Sequence, residues 1–339
     1  MRAKQVLGYG VLGGAMAALA GFAGTKAVGR HVRGVVDPAL DDPLDPPEGV
    51  THRTLRTADE GTLHLVEIGS GRPVLLLHGV TLQWWVWSAT MRLLAPRFRV
   101  IAWDMRGHGR SVAGHDGVSM DAMARDVVHV LEELDLRDAV VVGHSLGGMV
   151  LGHFAAHHPD VRDERVGGLL FLATSAASLS VRGLAGGLIA LSALLPKVSQ
   201  AALRSPRLTY RWGDTDLSAA MVRGAFGRRA TARMVDDVRR MLAECPTQTL
   251  AEAGAAIAGH DIREALAAHS VATTVVVGDE DRLTPPSHAR LLAELVPGTE
   301  LEVLAGVGHQ VMQEAPAELA DAVDRLAARS AANRTEASA

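Results

Sequence analysis

Cysteine is nearly absent from this chain of 339 residues, where Cys245 stands alone. That excludes an intramolecular disulfide, a thiolate metal cluster and a lipidation cysteine near the N-terminus. Lysine is scarce too: it occurs only at Lys4, Lys26 and Lys197, so arginine carries nearly all the basic charge. Such usage reads as the codon bias of a GC-rich bacterial genome. Aromatic residues make up only 4%, so a tryptophan cluster stands out. There is no excess of positive charge. A formal net charge of −4 provides no global attraction to nucleic acid, and no nucleic-acid partner is expected. What is abundant is apolar: 48% hydrophobic against 21% charged, a globular composition long enough to bury a substantial core.

Residues 5–25 form an uncharged run near the N-terminus, with Arg2 and Lys4 before it and Lys26, Arg30 and Arg33 after. A membrane-spanning helix needs roughly 20 apolar residues. Residues 1–36 therefore read as a hydrophobic anchor placing the protein at a bacterial cell membrane. The alternative is a secretory signal cleaved near the small-residue "ALA" at 18–20. Basic residues flank both ends, so charge does not settle which side the protein faces. Residues 37–49, "DPALDDPLDPPEG", form a linker whose prolines and aspartates block helix and sheet.

From residue 50 strands and helices alternate. Strand patterns fall at 52–57, 63–68, 73–79, 99–104, 139–143, 167–173, 273–278 and 300–306. The segments 120–136 and 146–158 carry helical patterns, the first behind the N-cap residue Ser119. The inner strands are almost continuously apolar, as in a parallel sheet covered on both faces, and the alternation indicates an α/β domain. The pattern breaks over 176–270, which is Ala- and Arg-rich with helical periodicity. It is too long for a plain connection and reads as an inserted helical cap. The core then comprises 50–175 and 271–329, and the polar stretch 330–339 reads as a disordered tail.

Between the strand at 139–143 and the following helix lies Gly143-His144-Ser145-Leu146-Gly147. Gly-x-Ser-x-Gly at a strand–helix turn projects a serine hydroxyl above a sheet, near the positive end of a helix. A serine nucleophile needs a base, and the base needs an orienting acid. His144 is poorly placed, because consecutive residues at a tight turn point in different directions. His309 follows the last strand on a Gly-flexed loop that reaches the carboxyl edge of the sheet, where ligands gather in open α/β sheets. After the preceding strand, "GDEDRLTPP" supplies three acids: Asp279, Glu280 and Asp281.

These segments together resemble the α/β-hydrolase family, in its esterase, lipase and cofactor-free haloperoxidase branch. The resemblance spans roughly residues 50–329 and is weakest in the insertion. It implies a mostly parallel sheet flanked by helices, with an inserted cap. Gly278, Asp281 and Pro285 match the family's Gly-x-x-Asp-x-x-x-Pro pattern, which singles out Asp281 as the acid. Catalytic Ser145, Asp281 and His309 then follow in the family's chain order. "LLLHGV" (75–80) matches the turn whose backbone N–H, here that of Val80, forms the oxyanion hole with that of Leu146. "DMRGHGRS" (104–111) matches a structural loop. Serine at the elbow, where epoxide hydrolases and dehalogenases of this fold carry aspartate, implies acyl transfer. No cofactor and no metal are implied.

Trp84, Trp85 and Trp87 cluster just after the oxyanion turn. Trp87 matches a core tryptophan of the family, while Trp84 and Trp85 are candidates to line an acyl pocket. The expected activity is hydrolysis of carboxylic esters, with apolar acyl esters and lipids among the candidate small-molecule substrates. The same triad also serves perhydrolysis with haloperoxidase activity, or C–C bond hydrolysis. A non-catalytic scaffold is the competing class.

Overall fold

The computed structural model describes residues 45–177, 216–266 and 269–337. The anchor or signal at 1–36, most of the linker and the apolar part of the insertion lie outside the described residues. Among those described, no helix is long and apolar enough to cross a membrane.

Eight strands form one sheet: β1 (Thr51–Arg56), β2 (Thr62–Ile68), β3 (Arg72–Leu77), β4 (Phe98–Asp104), β5 (Ala139–His144), β6 (Val166–Leu172), β7 (Ala272–Gly278) and β8 (Glu300–Leu304). Their order is β1-β2-β4-β3-β5-β6-β7-β8. β1 and β2 run antiparallel to their neighbours, and every pairing from β4 to β8 is parallel. β3, β5 and β6 occupy the middle and read Val-Leu-Leu-Leu, Val-Val-Val and Leu-Leu-Phe-Leu because both their faces are covered. Successive side chains go to opposite faces. Val74, Leu76, Val140, Val142, Leu170 and Leu172 join one core cluster, while Leu75, Leu77, Val141, Leu169 and Phe171 join the other.

The flanking helices are α1 (Ser88–Leu94), α2 (Met120–Glu133), α3 (Leu146–His157), α4 (Pro159–Arg165), α8 (Pro286–Leu295), α9 (Val311–Glu314) and α10 (Pro316–Ala337). Ser119 caps α2 as its sequence position predicts, its side chain accepting from the Ala122 N–H at 3.2 Å. α10 corrects the reading of 330–339 as a disordered tail, because the helix runs on to Ala337. The stretch is polar but contains neither Gly nor Pro, and alanine favours continuation. Buried Ser330 also accepts from the Arg72 guanidinium on β3.

The described part of the insertion is helical: α5 (Asp216–Arg223), α6 (Ala232–Glu244) and α7 (Thr247–Ala258). Its two ends pair with each other. The Ile262 N–H donates to the Ala176 carbonyl at 2.9 Å, and Ala177 bridges Asp261. α7 sits over the loop after β4, where Thr249 donates to the Gly107 carbonyl and Glu252 accepts from the Val118 N–H.

Candidate active site

Ser145 is the turn residue between β5 and α3, and its backbone is at φ +53°, ψ −115°. A non-glycine residue rarely adopts positive φ, so the turn is strained and must be held by its surroundings. Glycines allow the tight packing that holds it. A Cβ on Gly143 would come within 2.5 Å of the Gly147 carbonyl oxygen, and one on Gly147 within 2.5 Å of the Leu77 carbonyl oxygen. Gly148 lies equally close to Thr174, whose hydroxyl donates to the Ser145 carbonyl at 2.7 Å. The Ser145 N–H donates to the Leu172 carbonyl at 3.0 Å, tying the elbow to β6. The Ser145 side chain does not cap α3.

At the carboxyl ends of β7 and β8, Asp281 and His309 meet. His309 Nδ1 lies 2.9 Å from Asp281 Oδ2, and both side chains are buried. Asp281 is held from its own loop: Oδ1 accepts from the Leu283 and Thr284 N–H groups at 2.8 and 2.9 Å. Oδ2 accepts from the Thr284 hydroxyl at 2.8 Å. The Thr284 oxygen also lies 3.2 Å from His309 Nδ1. With a carboxylate at Nδ1, the proton belongs on that nitrogen and Nε2 keeps its lone pair, the tautomer a general base requires. Asp279 and Glu280 have other partners. Asp279 accepts from the Gly306 N–H at 2.7 Å, and Glu280 pairs with Arg228 at 2.5 Å.

His144 brings the two halves together. Its Nε2 lies 2.9 Å from the His309 carbonyl oxygen, so it donates there, and the two rings are 4.8 Å apart. Fully buried, His144 has its pKa driven well below the usual imidazole value, by desolvation first and by His309 second. It stays neutral and buttresses the His309 backbone from the residue next to Ser145.

This arrangement of elbow serine, histidine and aspartate lies within the segment that matches a model of the alpha/beta hydrolase fold family, residues 72–316. The chain belongs to this family. The hydrolase is 28% identical over 272 residues to an uncharacterized protein of Mycobacterium tuberculosis, with 76% of each chain covered. It is 29% identical to the non-heme chloroperoxidase CPO-A1 of Kitasatospora aureofaciens, over 75% of this chain and 91% of that one. Among solved structures, a thermophilic esterase of Thermogutta terrifontis superposes with a TM-score of 0.66 at 26% identity, covering 83% of this chain and 99% of that one.

In this α/β hydrolase the turn after β3 comes up against the elbow: a Cβ on Gly79 would lie 3.1 Å from that of Ser145. Val80 follows Gly79, and Leu146 is the first residue of α3, where no helical partner exists for its N–H. Among the described residues, neither N–H makes a turn or loop hydrogen bond to backbone. Buried His78 orients the turn. Its Nε2 accepts from the Met105 N–H at 2.9 Å, so its proton is on Nδ1, which donates to the Gly79 carbonyl at 2.7 Å. That carbonyl belongs to the same peptide as the Val80 N–H, which must point the opposite way. Burial, reinforced by neighbouring His108, pushes the His78 pKa down to about 3, so it remains neutral.

Trp84 is buried in the core cluster that also holds Trp87, and its backbone N–H donates to Asp104 Oδ1 at 2.9 Å. The half-buried Trp85 lies under the Arg240 guanidinium of α6 at 4.4 Å, with its indole N–H donating to Gln83. Arg106 is buried in a bidentate pair with Asp126 and a further pair with Asp59, a structural role.

His78, Thr284 and Glu314 were not found by reasoning from the sequence. His78 had one signal, a histidine closing an otherwise apolar strand. Glu314 is completely buried and accepts from the Gly308 N–H at 3.0 Å and the Gly227 N–H at 2.8 Å. Desolvation pushes its pKa up to about 7.

Proposed function

We propose that this α/β hydrolase cleaves carboxylic esters through Ser145, His309 and Asp281. The observation that carries the reading is the buried Asp281–His309 hydrogen bond beside a strained, uncapped elbow serine. Ser145 Oγ attacks the ester carbonyl carbon while His309 Nε2 takes the hydroxyl proton. The oxyanion is received by the N–H groups of Val80 and Leu146, each worth roughly 3 to 4 kcal/mol of barrier. The C–O bond to the alcohol then breaks, and His309 returns the proton to the leaving oxygen. Water, deprotonated by His309, attacks the acyl-enzyme and releases the acid and free Ser145. Asp281 holds the tautomer throughout and stabilises the imidazolium. Similarity to an esterase and to a chloroperoxidase supports acyl transfer through serine.

The test is hydrolysis of p-nitrophenyl esters across an acyl-chain series, with Ser145→Ala as control and a fluorophosphonate to label Ser145. Full activity in Ser145→Ala overturns the assignment. A second reading, perhydrolysis, is supported by the 29% identity to the chloroperoxidase. There, hydrogen peroxide replaces water in attack on the acyl-enzyme and forms a peracid. Serine-dependent bromination of a phenol dye in the presence of peroxide, acetate and bromide distinguishes it.

A further inference from the structure

The His309 loop is fastened to the cap by backbone. The His309 N–H donates to the Ala225 carbonyl at 2.7 Å, and the Arg228 N–H donates to the Gly306 carbonyl at 3.0 Å. Between these two bonds the chains touch with no room for side chains. A Cβ on Gly227 would come within 2.6 Å of both the Gly306 carbonyl oxygen and the Gly308 nitrogen, and one on Gly308 within 2.3 Å of the Gly227 nitrogen. The N–H groups of both glycines are left over by this ladder, and both are answered by one side chain. Glu314 Oε2 takes Gly227 and Oε1 takes Gly308.

We propose that Glu314 is a positioning residue for His309, acting by clamping residues 306–309 against the cap segment 225–228. The inference rests on the reading of His309 as the base. Four residues hold His309 itself: Asp281 and Thr284 at the ring, Ala225 at the N–H and His144 at the carbonyl. Among the described residues, Glu314 is the side chain that joins the N–H of Gly308, the residue before His309, to the cap, and a carboxylate is the smallest group with two acceptors set for two converging donors. The clamp is reinforced from the cap side. Arg223 donates to the Phe226 carbonyl at 2.9 Å, and its charge favours the ionised form of Glu314. Misplacing a base by about 1 Å costs on the order of 100-fold in rate, so fastening of this kind bears directly on turnover.

Glu314→Gln tests the proposal. The amide matches the shape but offers one acceptor and one NH2, so one glycine N–H loses its partner. Activity on p-nitrophenyl acetate is normalised to sites titrated to completion with a fluorophosphonate, which removes any unfolded fraction. The expected result is a fall in kcat of about 10- to 100-fold with KM within two-fold. Amide hydrogen exchange should also rise together in peptides covering 225–228 and 306–309. A kcat per titrated site within two-fold of wild type overturns the proposal, as does faster exchange in only one of the two segments. If the variant does not fold, the wild-type protein decides the matter. The clamp requires the two segments to open as one unit, and exchange at 225–228 more than about 100-fold faster than at 306–309 overturns it. Absence of fluorophosphonate labelling in the wild type overturns the serine hydrolase reading instead and leaves the exchange result standing.

Discussion

The serine elbow and the histidine loop occupy the same edge of one sheet, yet they are held by opposite means. The elbow is built mainly from neighbours in sequence, with Leu172 and Thr174 tying it to the end of β6. Gly143, Gly147 and Gly148 lie within five residues of Ser145 or on the same turn, and they let β5 and α3 pass closely enough to sustain a strained φ. The histidine loop is assembled from distant parts of the chain: Asp281 and Thr284 after β7, His144 on the elbow, Ala225 and Gly227 from the cap, and Glu314 in α9. The elbow is rigid by steric exclusion. The loop is fixed by hydrogen bonds, which individually contribute about 1 kcal/mol net and act together. Both regions exclude added atoms at their glycines, and the loop depends besides on acceptors brought from distant parts of the chain.

The largest expected effect falls at the elbow. Ser145→Ala removes the proposed nucleophile and leaves the fold, so kcat on p-nitrophenyl esters should fall by about 10⁴-fold or more while the thermal midpoint stays within a few degrees. A second experiment separates the two regions by pH. Only the histidine loop carries a buried acid with a strongly raised pKa, Glu314, moved from 4.5 to about 7. Folding favours its protonated form, so the folded chain binds more protons than the unfolded one between about 4.5 and 7. The contribution of this group to stability is therefore present at the acid end and lost as pH rises through that window. The amount is about 3 kcal/mol at 1.4 kcal/mol per unit. Urea melts at pH 5 and pH 8 should show wild type losing that much relative to Glu314→Gln. Parallel curves for the two proteins would remove the titrating group from the loop.

Smaller effects sharpen the same contrast. Gly147→Ala sets a methyl against the Leu77 and His78 carbonyl oxygens. It should lower stability by about 1 to 3 kcal/mol, read by denaturant midpoint, because backbone on both sides cannot yield cheaply. Thr284→Val conserves volume and removes one donor to Asp281 Oδ2. It should lower kcat only several-fold, about 1 kcal/mol, with the midpoint nearly unchanged, since two N–H groups still hold the carboxylate. A loss as large as that of Ser145→Ala would mean that Thr284 does more than hold Asp281.

The central strands, the elbow and the loops after β7 and β8 were legible because their signals are local: apolar runs, glycine spacing and a serine at a strand–helix junction, whereas Asp281 was singled out among three acids by the family resemblance. The C-terminal stretch was misread for a local reason as well. Polar composition alone suggested disorder, whereas Arg72 reaches Ser330 from the far end of the chain and helix propensity carries α10 onward. Trp84 and Trp85 were singled out by rarity, and the fold gave them core and cap neighbours that composition does not encode.

By itself, then, the sequence determined the α/β alternation, the strained serine turn and the residue types able to do acyl chemistry, because those follow from periodicity and from glycine geometry over a few residues. Only the tertiary structure decided which acceptors meet which donors: His144 on the His309 carbonyl, His78 on the turn after β3, Glu314 between the cap and the histidine loop. A buried polar group must find a partner, and for Ser330 in this chain the partner lies 258 residues away. No pattern in the intervening residues announces it.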